Sequence, residues 1–215
     1  MTLVSRTAEE LESLARELRR RGGQAQPLVL DVTDSAAVTR AMAERPPFDI
    51  LVNSAGTNRP APLTQTSDAD LDAVLELNVR ATLLVCREVA RGMIAAGRGG
   101  SIVTISSQMG HVGGPMRTVY CASKHAVEGM TKALAWELGP HGIRANTLCP
   151  TFIETAMTAP MLADPAFRAY VQSRIALGRI GQLQDMMGAV LFLCSDASAL
   201  VTGSALMVDG GWTAA

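Results

Sequence analysis

Aromatic side chains are scarce in this chain, at 4% of its residues, while hydrophobic residues make up 48%. A core has to be built from Ala, Val, Leu, Ile and Met rather than from rings. An excess of either charge is also lacking: the formal net charge is −1 and charged residues are 18%. No basic surplus points to nucleic acid, and no charge block forms a binding tail. Only four cysteines occur, Cys86, Cys121, Cys149 and Cys194, and none forms a C-x-x-C. That spacing supports neither a zinc site nor a redox pair; free buried thiols in a reducing compartment are expected. The three histidines, His111, His125 and His141, lack metal spacing and read as surface or loop residues, so no metal is expected. No apolar run approaches the ~20 residues of a membrane span. Residues Met1 to Arg6 run straight into a charged helical pattern rather than a signal peptide. A cytoplasmic protein with no membrane and no nucleic-acid partner is expected.

What the chain does have is alternation. Short runs rich in Val, Ile and Leu, at Thr2–Ser5, Pro27–Leu30, Phe48–Val52, Ser101–Ile105, Arg144–Cys149 and Ser204–Val208, show little polar interruption. Strands buried on both faces look like this, and parallel sheets are buried on both faces. Between them lie helical patterns. Ala8–Arg21 places Leu11, Leu14, Ala15 and Leu18 on one face and stops at Gly22-Gly23. Asp34–Glu44 is short. Ser67–Ala96 is long, with an N-cap in Ser67 or Asp68, and Gly97, Gly99 and Gly100 end it. Val119–Leu138 and Leu183–Ser195 follow. The pattern predicts an α/β doubly wound parallel sheet with right-handed crossovers. With no repeats or linkers, 1–215 reads as one domain. The least regular stretch, Glu154–Gly181, lies beyond a strand's carboxyl end, where such sheets place ligands.

Two residues in one of these helices carry chemistry. Tyr120 and Lys124 are four apart, so they share a helical face and can point into one pocket. A free tyrosine, with a pKa near ~10, is a poor base at neutral pH. A cation held nearby favours phenolate and lowers that pKa towards the range where acid/base catalysis is efficient. The motif alone is weak, since an amphipathic Tyr and a solvated Lys would match it. Ser107 lies 13 residues upstream of Tyr120, just past a strand's carboxyl end and ahead of Gly110, Gly113 and Gly114. Its hydroxyl can hydrogen-bond a substrate oxygen as charge develops, or simply cap a turn. Ser106 competes for the role, and the spacing to Tyr120 favours Ser107.

Several ordered motifs resemble the short-chain dehydrogenase/reductase family. Asn53-Ser54-Ala55-Gly56 resembles its N-[NS]-A-G motif, and Asn78 in Leu-Asn-Val its helix-borne active-site asparagine. Ser107, Tyr120 and Lys124 are similar to its serine, tyrosine and lysine at the family's spacing. Asp31-Val32 resembles the acidic pair after the third strand. Cys149-Pro150-Thr151-Phe152-Ile153-Glu154-Thr155 resembles its P-G-x-[IV]-x-T segment, with Thr151 in place of the usual glycine. Val208-Asp209-Gly210-Gly211 resembles its C-terminal strand and tail.

The resemblance implies a Rossmann-like, NAD(P)-dependent oxidoreductase that interconverts a secondary alcohol and a ketone. In that reading Tyr120 exchanges the proton. Lys124 lowers the tyrosine's pKa and holds the nicotinamide ribose, Ser107 polarises the substrate oxygen, and Asn78 holds a water in a proton relay. Asp31 and Val32 would contact adenine; Asn53, Ala55 and Gly56 would line the adenosine side, or Asn53 would brace neighbouring loops. Pro150 joins the cofactor-binding residues, with Ile153 and Thr155 at the carboxamide and a nearby phosphate. NADP(H) is favoured over NAD(H), because no carboxylate follows Leu3-Val4-Ser5 until Glu9, and Arg6 can neutralise a 2′-phosphate. The family's two long helices imply a homotetramer or at least a homodimer, and Leu83-Leu84-Val85 and Ala133-Leu134-Ala135 are apolar on several sides.

One family element is missing. The family opens with a strand, a T-G-x-x-x-G-x-G turn and a helix, whose backbone N–H groups bind the pyrophosphate. This chain opens at what resembles the second strand, and none of its 19 glycines forms that fingerprint. In the family's 3-2-1-4-5-6-7 order the absent strand is central, so two neighbours are expected to lose their partner unless they re-pair. The reading frame is expected to extend upstream of Met1 by roughly 25–35 residues. Two other readings stand beside the enzyme: a catalytically impaired relative that only oligomerises or binds partners, and a sugar-nucleotide epimerase or dehydratase. The second needs a larger substrate domain than the little more than 60 residues after Pro150 provide.

Overall fold

The computed structural model describes residues 1–214. Four parallel strands form one sheet in the order β3 (Ile50–Asn53), β4 (Gly100–Ile105), β5 (Ile143–Pro150) and β6 (Ala205–Val208). Two more, β1 (Thr2–Ser5) and β2 (Gln26–Val29), pair in parallel as a separate sheet. The expected doubly wound parallel architecture is present, but β1 and β3 are not hydrogen-bonded to each other. Among the described residues each has one edge without a strand, and Val4, Ile50 and Val52 beside those edges are exposed. The chain holds the two sheets together through helices: Leu30, Val38 and Ala41 share a core cluster with Val85, Val89, Met93, Ile102 and Ala145.

Alternation along the strands explains the layers. Ile102 and Ala145 face that cluster, packed under α2 (Ser35–Ala43), α4 (Thr82–Ala96) and the end of α5 (Thr118–Leu138). Val103 and Leu148 point the other way, onto Met186 and Leu193 of α8 (Leu183–Cys194). Opposite faces of one sheet are thus both covered, as successive side chains of a strand demand.

Helix boundaries follow local chemistry. In α1 (Ala8–Arg20), Glu9 and Glu10 open the helix and Arg19 and Arg20 close it, matching the macrodipole. Leu11 and Ala15 of its predicted apolar face are buried, whereas Leu14 is exposed. Gly97 ends α4 in the left-handed region at φ 64°. Gly99 passes so close to its neighbour that an added Cβ would lie 2.6 Å from the Gly142 carbonyl oxygen.

The long helix expected over Ser67–Ala96 is not uniform. It comprises α3 (Asp68–Leu75), a π-helical turn over Glu76–Ala81 and then α4. Ser67 is its N-cap, accepting from the Asp70 amide at 3.1 Å. The irregular stretch 154–181 contains α6 (Ala159–Leu162) and α7 (Pro165–Arg174). They form a third, smaller core in which Phe152, Leu162, Val171, Ile175, Ile180 and Trp212 pack with Met109. The scarce aromatics gather here, with Phe152 against Phe167 and Trp212 at 5.6 and 5.8 Å. Among the described residues no helix is long and apolar enough to cross a membrane.

Candidate active site

Because all strands of a parallel sheet point the same way, the loops after β3, β4 and β5 meet at one end. α5 starts at that end and carries both Tyr120 and Lys124. Tyr120, half-buried, lines a cavity of about 70 Å³ together with Ser107, Asn58, Arg117, Thr151 and Met161. Lys124 is buried, and its Nζ donates to the Ile105 carbonyl at the end of β4 at 2.9 Å while standing 5.7 Å from the centre of the Tyr120 ring. Ser107, Tyr120 and Lys124 are therefore brought together, as their spacing implies.

The electrostatics differ from the expectation. Burial pushes the Tyr120 phenol above its usual range, opposed by the neighbouring Ser107 hydroxyl and the Arg117 guanidinium; the expected lowering by Lys124 is not present. The reason is geometric. The ammonium is tied to a backbone carbonyl and lies over the ring, and desolvation of the phenol outweighs distant charge. Lys124 is itself pushed down to about 8 by burial, partly offset by the Cys149 and Glu128 side chains.

Ser107 does cap a turn. Its Oγ accepts from the Met109 amide at 3.1 Å and donates to Gln108 Oε1 at 2.8 Å. Asn78 lies within the π-helical turn, fully buried. Its Oδ1 accepts from the Thr57 amide at 2.8 Å, and its Nδ2 donates to the Thr57 carbonyl at 2.9 Å and to Ser123 Oγ at 3.1 Å. The extra residue of the turn re-aims this side chain, a recurrent use of π-bulges at functional sites. The Gly56 backbone lies close to both: a Cβ there would be 3.4 Å from Asn78 Oδ1 and 3.8 Å from Lys124 Nζ.

The remaining residues spread along the crevice. Asn53 braces: its Nδ2 donates to the Thr82 carbonyl at 3.3 Å, tying β3 to α4. Ala55 is exposed beside it. Asp31 is held below the usual carboxylate range, first by the Thr33 amide and then by the Thr33 hydroxyl, and its other oxygen lies 4.0 Å from Arg6, which is exposed. Val32 packs against the main core instead of standing free. Pro150 ends β5, and Ile153 and Thr155 follow in a turn tied by Thr158, whose Oγ1 donates to the Ile153 carbonyl at 2.5 Å and accepts from the Thr155 amide at 3.0 Å. Thr151, where the family pattern has glycine, avoids the left-handed region; Met116 alone among described non-glycine residues enters it.

Sequence reasoning missed several residues here. Arg117, Asn58 and Thr158 line the cavity, and only the three-residue offset of Arg117 from Tyr120 could have hinted at one of them. His111 is also not a simple loop residue. Its Nε2 lies 3.5 Å from Cys149 Sγ and 3.5 Å from Glu128 Oε2. These three side chains, with ligand-type atoms within 4.8 Å of one another, form a hydrogen-bonded network. Cys149, its thiol pushed up to about 12 by burial, donates to Glu128 Oε1 at 3.4 Å, and Thr147 donates to Oε2 at 2.9 Å. The network fixes Glu128 one helical turn beyond Lys124. Of the four free cysteines, Cys86 and Cys149 are buried as expected, whereas Cys121 and Cys194 are only half-buried.

Comparison with known proteins places this geometry. A family model described as enoyl-(acyl carrier protein) reductase matches residues 1–213. D-erythrulose reductase of Gallus gallus is 42% identical over 212 residues, covering 99% of this chain and 85% of that one. The crystal structure of a gluconate 5-dehydrogenase from Burkholderia cenocepacia, in complex with NADP and tartrate, superposes with a TM-score of 0.96 at 37% identity, covering 100% of this chain and 85% of that one. A short-chain type dehydrogenase/reductase from Mycobacterium marinum superposes with a TM-score of 0.93 at 33% identity, over 100% and 85%. The chain belongs to the short-chain dehydrogenase/reductase family of nicotinamide-dependent oxidoreductases.

Proposed function

We propose that this protein interconverts a small hydroxylated ketone and its secondary alcohol, with Tyr120 as the proton donor and acceptor and NADP(H) as the cofactor. The observation that carries the reading is the convergence of Tyr120 and Ser107 on one small cavity, with Lys124 buried one turn along the same helix. When bound, the nicotinamide supplies or takes the hydride; the protein's part is to hold the substrate and move the proton. A phenol pushed up by burial stays protonated at neutral pH, so Tyr120 is ready to donate to a carbonyl oxygen as charge develops there. Ser107 stabilises the same oxygen with a hydrogen bond.

The residues fit the two ends of a dinucleotide. The side-chain-free backbone of Gly56, close to Lys124 and Asn78, suits a ribose at the nicotinamide end. Arg6 and Asp31, at the carboxyl ends of β1 and β2, suit the adenosine end, and the Arg6 cation favours a 2′-phosphate. Among the described residues no glycine-rich turn supplies pyrophosphate donors. Relatives support the choice of cofactor and substrate, in the NADP bound to the gluconate dehydrogenase structure and in the name D-erythrulose reductase.

The test is Tyr120→Phe. The ring still packs, and only the transferable proton is lost. Turnover should fall by about 10²–10⁴-fold, the usual worth of acid/base catalysis, with the melting temperature and cofactor affinity nearly unchanged. Retention of more than half the activity would overturn the role of Tyr120.

A further inference from the structure

Four buried side-chain polar atoms have no hydrogen-bond partner among the described residues: Asn58 Oδ1, Ser106 Oγ, Arg117 Nη1 and Thr151 Oγ1. Three of the four, those of Asn58, Arg117 and Thr151, belong to residues that line the Tyr120 cavity. Unpartnered buried polar atoms are rare in folded proteins and call for a reason. Their convergence on one cavity supplies it, because a bound molecule would partner all three.

Arg117 is the telling member. It is 6% exposed, yet no carboxylate pairs with it among the described residues. Its Nη2 faces only the thioether of Met161, a weak acceptor, at 3.1 Å. A guanidinium cannot shed its proton to relieve this, and a buried charge without a partner is costly. Its planar fork matches a carboxylate, which it grips with two parallel hydrogen bonds. Asn58 Oδ1 can only accept, so it asks for a hydroxyl on the ligand. Thr151 Oγ1 can donate or accept.

We infer that the substrate is a small hydroxylated acid, an oxo acid in one direction and the hydroxy acid in the other, whose carboxylate is held by Arg117 while its reacting carbon faces Tyr120. The inference rests on the redox reading above and adds the charge and size of the substrate to it. Arg117 stands at the start of α5, one turn before Tyr120, so the carboxylate and the reacting carbon are a few bonds apart. The cavity of about 70 Å³, with Asn58, Arg117 and Thr151 in its wall, suits a short polar chain.

The test compares ketones that share a reacting group and differ in charge: acetoacetate against its methyl ester, and 5-keto-D-gluconate against L-sorbose. The acid of the pair should be preferred about tenfold or more in kcat/KM, since a site built around a charged hydrogen bond rejects the analogue lacking it. In Arg117→Gln the preference should collapse towards one, and in Arg117→Lys part of it should return. In parallel, thermal unfolding is followed with D-gluconate at fixed ionic strength. It should stabilise the wild-type protein and not Arg117→Gln, whose own melting temperature in sodium chloride shows that it folds. Equal use of acid and neutral ketone by the wild type, or a preference untouched by Arg117→Gln, overturns the carboxylate site and leaves the redox reading standing. No nicotinamide-linked turnover of any of the four, alongside a gluconate-dependent stabilisation that Arg117→Gln abolishes, overturns the redox reading and keeps the carboxylate site.

Discussion

Lys124 shows how burial can set a residue's behaviour more strongly than its neighbours in the motif. Its ammonium is pushed down to about 8 from an ordinary 10.5, with desolvation as the largest cause. Below pH 8 both the folded and the unfolded chain carry the proton, and the cost of burying the charge is present in full. Between about 8 and 10.5 the unfolded chain still holds the proton while the folded one has released it. Raising the pH therefore favours the folded state in this window. Lys124→Met removes the charge, so the variant should gain stability over the wild type by about 3 kcal/mol at most at neutral pH, with the pH-dependent part of the gain shrinking as pH rises from 8 towards 10.5. Cys149 titrates in the opposite sense, from 9 unfolded to about 12 folded, but it is present in both proteins and largely cancels. Denaturant unfolding of both proteins across pH 7 to 10.5 checks this. A stability difference independent of pH would show that Lys124 is not depressed.

At the scale of elements, the π-helical turn between α3 and α4 does what neither flanking helix could. It swings Asn78 inward, where one side chain satisfies both the N–H and the C=O of Thr57. The loop after β3 is thereby pinned against α5 through Ser123, which in turn donates to the Tyr120 carbonyl at 2.7 Å. Asn78→Ala leaves the Thr57 groups without their partner in a half-buried loop. The expected cost is about 2–4 kcal/mol, read as a lower urea midpoint with an unchanged slope. A loss under about 0.5 kcal/mol, the range of ordinary surface substitutions, would mean that the loop is held by other contacts.

At the scale of the whole molecule, apolar surface is left uncovered on the helices. Leu83 on α4 and Trp136 on α5 are 47% and 86% exposed, and Leu183, Met187 and Leu191 form an exposed stripe four residues apart on α8. Leu84 and Val85, next to Leu83, are buried in the monomer, so the chain itself covers most of α4 and leaves the side of Leu83 open. A helix apolar on several sides needs burial on several sides. A homodimer or homotetramer through these helices is the expected state, and sedimentation at micromolar concentration should show it. A monomer there would refute it.

The sequence by itself determined the strand and helix alternation, because a strand buried on both faces and an amphipathic helix each leave a periodic trace within a dozen residues. It also determined that Tyr120 and Lys124 share a helical face, because i and i+4 always do. Its boundaries shifted by a residue or two where caps and ladders, not composition, decide the end. The π-helical turn over Glu76–Ala81 was not legible, since no residue type marks such a turn and the phase shift of one extra residue is lost in a helix that is apolar on several sides. Only the tertiary structure decided that the phenol of Tyr120 is pushed up instead of down, because desolvation depends on what packs around a ring and not on what lies four residues away. It alone brought His111, Glu128 and Cys149 into one network, and Asn58, Arg117 and Thr151 into one cavity. Whether a buried polar atom has a partner is settled between segments far apart in the chain, and no local pattern records it.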